Sequence, residues 1–428
     1  MRKRRVLSLT LAILLSLCLS GCENDGKERD GGGVKEITEL TVCMDSSSEL
    51  VDGANFFSDL QRACRERNLP VKLKAVTFPE SAAERESKIS AVQTEIMAGK
   101  GPDLFFVSCY DPLLYPPQQQ LFMEPERVMQ AGVFLRLDEL LEQSRTLDLS
   151  QCNETVMEAG RREESRFLLP VSYEIPLVIL DGSLLKDTEA AQMTAQDAVD
   201  SGDELVGQAF RSTVFASCSA MFGKLADYDA GKLLISQEEL SKGMKLLCSM
   251  PEESGFTSGL LAYGTANYAF SAQAFLRENA APVCMAVCNN TGGVTATVTQ
   301  FAAINSNTDN PETAFSVLEA LLSEELQGAG SWRFGSTGIG LSVNDSLMQD
   351  MMNQHPYAGA EGFDDRQVTA EEAGKIQKIC GMVNAVNFKT ELDGDLYALY
   401  LACRGRPDSE IEAEVKEAYR KMLMKVAE

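Results

Sequence analysis

Short apolar runs alternate along this chain with longer stretches whose apolar residues recur every third or fourth position, and turn residues separate them. That pattern predicts strands and helices in alternation. Glu39 to Met44 (ELTVCM) reads as a buried strand, and Asn55 to Asn68 as a helix with Phe56, Phe57, Leu60, Ala63 and Cys64 at helical spacing. Val71 to Val76 reads as a second strand. Ser81 to Ala98 carries Ile89, Val92, Ile96 and Met97 on one helical stripe, stopped by Gly99-Lys100-Gly101-Pro102 before another buried strand, Asp103 to Val107. Strand, helix, strand, helix, strand with short turns is the mark of a parallel sheet covered by helices. Ligands on such sheets bind beyond the carboxyl ends of the strands. Here those ends are Asp45 to Ser48 and Ser108 to Asp111.

The pattern becomes less regular downstream. Val128 to Gln143 should be helical, Arg166 to Tyr173 extended, and Ile175 to Leu180 a strand. Residues from about 186 to 280 should be mainly helical, including Ser236 to Ser249. Pro282 to Val287 and Val298 to Ile304 read as strands on either side of a Gly292-Gly293 turn. Asn310-Pro311-Glu312 should open a strong helix, with Asn at the N-cap and Pro at the first position. Helices over Ala370 to Ala385 and Asp408 to Ala427 complete the reading, and no internal repeat is visible.

The first residues form a separate pattern. Arg2, Lys3, Arg4 and Arg5 precede an apolar run from Val6 to Leu19, the length of a signal-peptide core and short for a membrane span. Leu19-Ser20-Gly21-Cys22 resembles a bacterial lipobox. The resemblance implies a signal peptide over 1–21, cleavage before Cys22 and a diacylglyceryl group on its sulfur. Two acyl chains, at roughly 0.8 kcal/mol per buried CH₂, give stable anchoring where one would be marginal. An ordinary secretory signal with a chance cysteine is the alternative. Residues 22–36, charged and glycine-rich, read as a flexible tether.

Charge narrows the partners. The formal net charge is −24; residues 1–21 hold four cations and no acid, so their loss takes it to −28. Such a surface disfavours nucleic acid and keeps the body off anionic lipid, which leaves the lipid anchor as the membrane contact. Ten cysteines follow Cys22 with no CxxC spacing, and His355 is the single histidine, so no metal site and no cofactor are expected. Mostly reduced, buried cysteines are expected, with disulfides left open by the sequence. A triad would have to use His355, and there is no GxSxG elbow, P-loop or dinucleotide fingerprint.

Three stretches in order resemble a known family: Ile96 to Val107 (IMAGKGPDLFFV), Phe167 to Asp187 (FLLPVSYEIPLVILDGSLLKD), and Val298 to Gln327 with its Asn-Pro-Glu helix. Behind a lipobox they resemble the bacterial extracellular solute-binding lipoproteins of ABC importers, family 1, built like maltose-binding protein. The departures are Leu180-Asp181-Gly182 where the family commonly has Tyr-Asn-Lys, and a single tryptophan, Trp332. The resemblance implies an α/β, two-lobed periplasmic-binding-protein-like fold, each lobe a mainly parallel sheet flanked by helices, with the ligand cleft between. Chain crossings near Tyr173, Phe301 and Val343 would give lobes of 37–173 plus 302–343 and 174–301 plus 344–428.

It also implies a non-enzymatic monomer on the extracytoplasmic face of the cell membrane. Such a protein takes a small polar solute, a carbohydrate by preference, to ABC permease subunits. A surface glycoside hydrolase, or a sensory lipoprotein that kept the fold, remain alternatives. Candidate ligand contacts are Asp45, Ser46 and Ser47 past the first strand, Tyr110 and Asp111 past the third, and Tyr173 and Glu174 at the first crossing. Tyr263, Asn289, Asn290 and Gly293 are candidates in the second lobe, and Trp332 and Arg333 in a glycine-rich loop.

Overall fold

In a computed structural model, which describes residues 37–44, 53–79, 81–109, 116–185, 192–251, 260–265, 282–327, 340–347 and 370–428, the opening alternation is realised element by element. It forms β1 (Thr38–Met44), α1 (Gly53–Glu66), β2 (Val71–Thr77), α2 (Ala82–Met97) and β3 (Leu104–Ser108). β1 pairs in parallel with both β2 and β3, setting Leu40 opposite Leu73 and Cys43 opposite Phe105. Ile89, Val92 and Ile96 are the buried stripe of α2, whereas Met97 is exposed.

Eight further strands complete two sheets: β4 (Leu168–Glu174), β5 (Pro176–Asp181), β6 (Gln192–Met193), β7 (Leu260–Thr265), β8 (Pro282–Val287), β9 (Val294–Ile304), β10 (Leu341–Ser342) and β11 (Val383–Phe388). The first sheet runs β10-β4-β9-β3-β1-β2, with β11 also paired to β9; the second runs β7-β5-β8-β6. Both are more mixed than expected. Pairing is parallel at β2-β1-β3, β9-β11 and β8-β6, and antiparallel wherever β9 meets β3 or β4 and wherever β5 meets β7 or β8. In the first sheet the cause is β9, eleven residues long and running against β3; in the second it is β5, which runs against both its neighbours.

Two hydrophobic cores result within the compact unit Ile37–Glu428. The second sheet divides between them by pleat alternation. Leu177, Ile179, Cys284 and Ala286 join the first core, and Val178, Leu180, Met285 and Val287 the second. The helices are α3 (Glu204–Ser217), α4 (Gln237–Ser249), α5 (Pro311–Leu321), α6 (Ala370–Cys380), α7 (Glu391–Cys403) and α8 (Asp408–Ala427). α3, α4, α7 and α8 build the second core, while α5 and α6 pack on the first. No described helix is long and apolar enough to cross a membrane.

Three expectations need correction. Val128 to Gln143 is two short helices, Pro125–Gln130 and Asp138–Gln143, parted where Gly132 takes φ +70° and Phe134 bridges to Asn305. Ala370 to Ala385 ends as a helix at Cys380, because the next residues are recruited as β11. α5 starts at Pro311 as expected, yet the Asn310 side chain makes no cap bond; Asn310 N–H instead donates to Thr308 Oγ1 at 3.3 Å.

Candidate functional site

The carboxyl ends of two strands meet over the middle of β9. β3 runs antiparallel to β9 and ends with Ser108 opposite Gln300; β11 runs parallel to it and ends with Phe388 opposite Val298. β4 occupies the other edge of β9 across Thr297 to Ala303, so β3 and β11 share one edge and point at each other. The first residue past β3, Cys109, donates its backbone N–H to Thr299 O at 2.7 Å. Thr299 therefore lies where the strand ends converge, the place at which α/β sheets bind ligands. β1 ends beside β3 at this same edge, since Met44 pairs with Phe106.

Three strands lie side by side at this point. Tyr173 of β4 is opposite both Val298 of β9 and Leu341 of β10; Ser172 is opposite Gln300 and Ser342. Their side chains make a buried polar knot. Ser172 Oγ is 2.8 Å from Thr299 Oγ1 and donates to Gln300 Oε1 at 3.2 Å, and Ser342 Oγ donates to Gln327 Oε1 at 2.9 Å. Gln120 Nε2 donates to Ser108 O at 2.7 Å, fixing the segment downstream of the opening between the ends of β3 and β11 on this edge of β9. Lys389, the first residue past β11, lies near Cys109. Burial drives the Cys109 thiol strongly upward and the lysine only partly offsets it, so Cys109 is protonated at neutral pH and is no thiolate nucleophile. The hydroxyls and amides of the knot are buried and bonded to one another, so they fix the strands against each other; Lys389, half-buried, is the polar side chain nearer the surface here. Among the described residues no three His, Cys, Asp or Glu side chains gather as a metal site.

Neither a protein-family model nor a curated protein matches the sequence, whereas solved structures match it by shape. An extracellular solute-binding protein family 1 from Alicyclobacillus acidocaldarius subsp. acidocaldarius aligns with 92% of this chain and 100% of its own, with TM-score 0.62 and 13% identity. A periplasmic oligogalacturonide binding protein from Yersinia enterocolitica aligns with 91% and 100%, with TM-score 0.58 and 13% identity. An ABC substrate-binding protein from Listeria monocytogenes in complex with cycloalternan aligns with 90% and 99%, with TM-score 0.51 and 12% identity. The chain has the solute-binding-protein fold.

On this two-lobed α/β fold the sequence-derived candidates separate into groups. Cys22, Asp45, Ser46, Ser47, Tyr110, Asp111, Trp332 and Arg333 lie outside the described residues, as does His355. Tyr263 sits in β7 opposite Val178. Glu174 is half-buried at the end of β4, opposite Thr297. Tyr173, expected at a crossing between lobes, has its side chain wholly inside the core, beside Cys380 and Asn153. Burial raises its hydroxyl well above the ordinary tyrosine range. A ring with no exposed surface cannot stack on a ligand, so Tyr173 packs the first core instead.

Asn289, Asn290 and Gly293 form the β8–β9 turn, five or more residues along β9 from Thr299 and so roughly 17 Å away or more. The Asn289 amide is used inside the protein. It donates to Thr295 Oγ1 at 3.0 Å and Asn384 Oδ1 at 2.8 Å, and accepts from Thr291 N–H at 3.0 Å. Gly293 is dictated by packing, since a Cβ there would fall 2.1 Å from Asn384. Ser172, Thr299, Gln300, Cys109 and Lys389 are the residues that sequence reasoning missed. Thr295, Thr297 and Thr299 alternate with apolar residues in β9, and that period-two signal marks an extended strand reaching well before Val298.

Proposed function

We propose that this protein is an extracytoplasmic solute receptor, lipid-anchored through Cys22, that captures a small polar solute and delivers it to an ABC importer by lobe closure. The observation that carries the reading is the convergence of β3 and β11 over Thr299, with β4, β9 and β10 side by side beneath. Three adjacent strands suit a hinge between lobes of 37–173 plus 302–343 and 174–301 plus 344–428. Closure about such a hinge shifts a two-state equilibrium when the ligand binds one state better. A carbohydrate is the favoured solute. Two proteins of similar fold support the choice, one an oligogalacturonide binding protein and the other solved in complex with cycloalternan.

A thermal-shift screen of the purified protein tests this. A ligand at 100 times its Kd should add about 2.7 kcal/mol of stability, a visible rise in melting temperature. Sugars are expected to produce it. A shift with amino acids, peptides or polyamines and none with sugars would remove the carbohydrate assignment and leave the receptor. Turnover of glycosides by the protein would replace the receptor with an enzyme.

The anchor has its own test. Cys22→Ser should leave an unprocessed, unlipidated precursor, seen by intact mass. Wild-type mass and detergent partitioning in that variant would refute lipidation.

A further inference from the structure

A polar seam joins the two cores beside the opening, and its centre is Arg127. The short helix Pro125–Gln130 is seated on the first core through Met129. Arg127 points away from that core. Its Nη2 donates to Lys425 O at 2.5 Å and to Val426 O at 3.3 Å, the last carbonyls of α8, which carry the negative end of that helix's dipole. The guanidinium also lies 5.0 Å from the centroid of the Tyr228 ring and pairs with Glu124 at 2.6 Å. Tyr228 and Val426 belong to the second core. Two ion pairs run along the same seam: Lys224 with Glu126 at 3.3 Å, and Arg162 with Asp229 at 2.6 Å.

The seam borders the converging strand ends. Gln120 ties the segment before the helix to Ser108, the end of β3. Tyr228 lies against Thr390, two residues past the end of β11. Arg127 belongs to the first of the lobes proposed above, and Tyr228, Lys425 and Val426 to the second, so closure of those lobes would make these contacts and opening would break them.

We propose that Arg127 is a positioning residue for ligand capture: it clasps the two proposed lobes beside the converging ends of β3 and β11 and so sets the fraction of protein that is closed. This deepens the receptor reading and rests on it. A clasp of this kind acts on apparent affinity without touching ligand, because Kd scales inversely with the closed population. The planar fork matters, since it meets two carbonyls and a ring face at once, which an ammonium cannot do.

The test uses the purified full-length protein in detergent, with Arg127→Met, Arg127→Lys and Lys224→Met. X-ray scattering with the detergent contrast-matched reads opening without any ligand. Arg127→Met should enlarge the radius of gyration of the ligand-free protein beyond error, Arg127→Lys should fall between, and Lys224→Met should open it less. Titration with trigalacturonate and maltotriose reads the consequence: apparent Kd for whichever binds wild type should weaken about tenfold in Arg127→Met. Unchanged dimensions in Arg127→Met and Lys224→Met, with near-UV circular dichroism intact, overturn the clasp whatever the ligand. Larger dimensions with unchanged Kd overturn its role in capture. If neither probe binds wild type, the carbohydrate reading suffers while scattering still decides the clasp. Should Arg127→Met fail to fold, Arg127→Lys and Lys224→Met carry the same two measurements.

Discussion

Raising the pH from about 8 to 10.5 should strip several kcal/mol from the stability of the folded protein, because its thiols are inside it. The ten cysteines from Cys43 to Cys403 are free, and seven of them are buried. Burial pushes the thiols of Cys284 and Cys380 up to about 12, and those of Cys64 and Cys152 to about 11. Cys109 and Cys218 are displaced further in the same direction. An unfolded thiol titrates near 8.5.

These folded values are raised, so the associated stability is fully present below the unfolded pKa and is lost as pH climbs towards the folded one. Each thiol that stays protonated in the fold and ionises when unfolded removes about 1.4 kcal/mol per pH unit. Four such thiols acting together rival the whole net stability of a typical domain. Tyr173, likewise raised by burial, adds to the loss above roughly pH 10. Urea midpoints at pH 8, 9 and 10 under reducing conditions measure this directly. A midpoint that does not fall would mean that the thiols are paired as disulfides or reached by water in the native state.

Local pattern carried much of the fold and little of the site. β1, α1, β2, α2 and β3 fall within about two residues of their expected bounds, because each is set by its own apolar period and turn residues. Ser236 caps α4 through the reciprocal bonds with Glu239 that a capping box requires, so that helix was legible to the residue. β11 was not. Gly381 stops the helix just before Val383 to Phe388, but so short a run continues the helix's apolar residues, and its partner β9 lies some ninety residues earlier. α7 was missed although Leu392, Leu396, Leu399 and Cys403 recur at helical spacing behind a Thr390–Asp393 capping box; Tyr397, Ala398, Leu401 and Ala402 put apolar residues on the other faces and blur that stripe.

The site depends on the same long-range pairings. Sequence placed the ends of β1 and β3 at the opening, yet that β11 would arrive from the opposite direction at Val298 is a property of the assembled sheet. Tyr173 shows the complementary failure. Position along the chain put it at the crossing, while its side-chain direction is set by pleat phase, which turns it inward and leaves Ser172 facing Thr299.

Gly340→Ala should damage stability and solute binding together, unlike most glycine substitutions in this chain. Gly340 immediately precedes β10 with φ +128°, a region that L-residues rarely enter. A Cβ there would stand 2.6 Å from both Thr299 Oγ1 and Tyr173 O, and the second of these is backbone that cannot swing away. Backbone strain and a forced shift of β4 add, for a loss of roughly 3 kcal/mol or more. The shift falls on the three adjacent strands beneath the opening, so a variant that still folds should also bind its solute more weakly. Gly374→Ala is the control: it lies within α6 with nothing inside 4 Å of the added carbon, and should stabilise by about 0.5–1 kcal/mol. Urea denaturation of both variants, and calorimetric titration with whichever sugar the thermal-shift screen identifies, read the two effects. If Gly340→Ala matches wild type in midpoint and affinity, the close approach of β10 to β4 and Thr299 is wrong, and the hinge built on those strands is wrong with it.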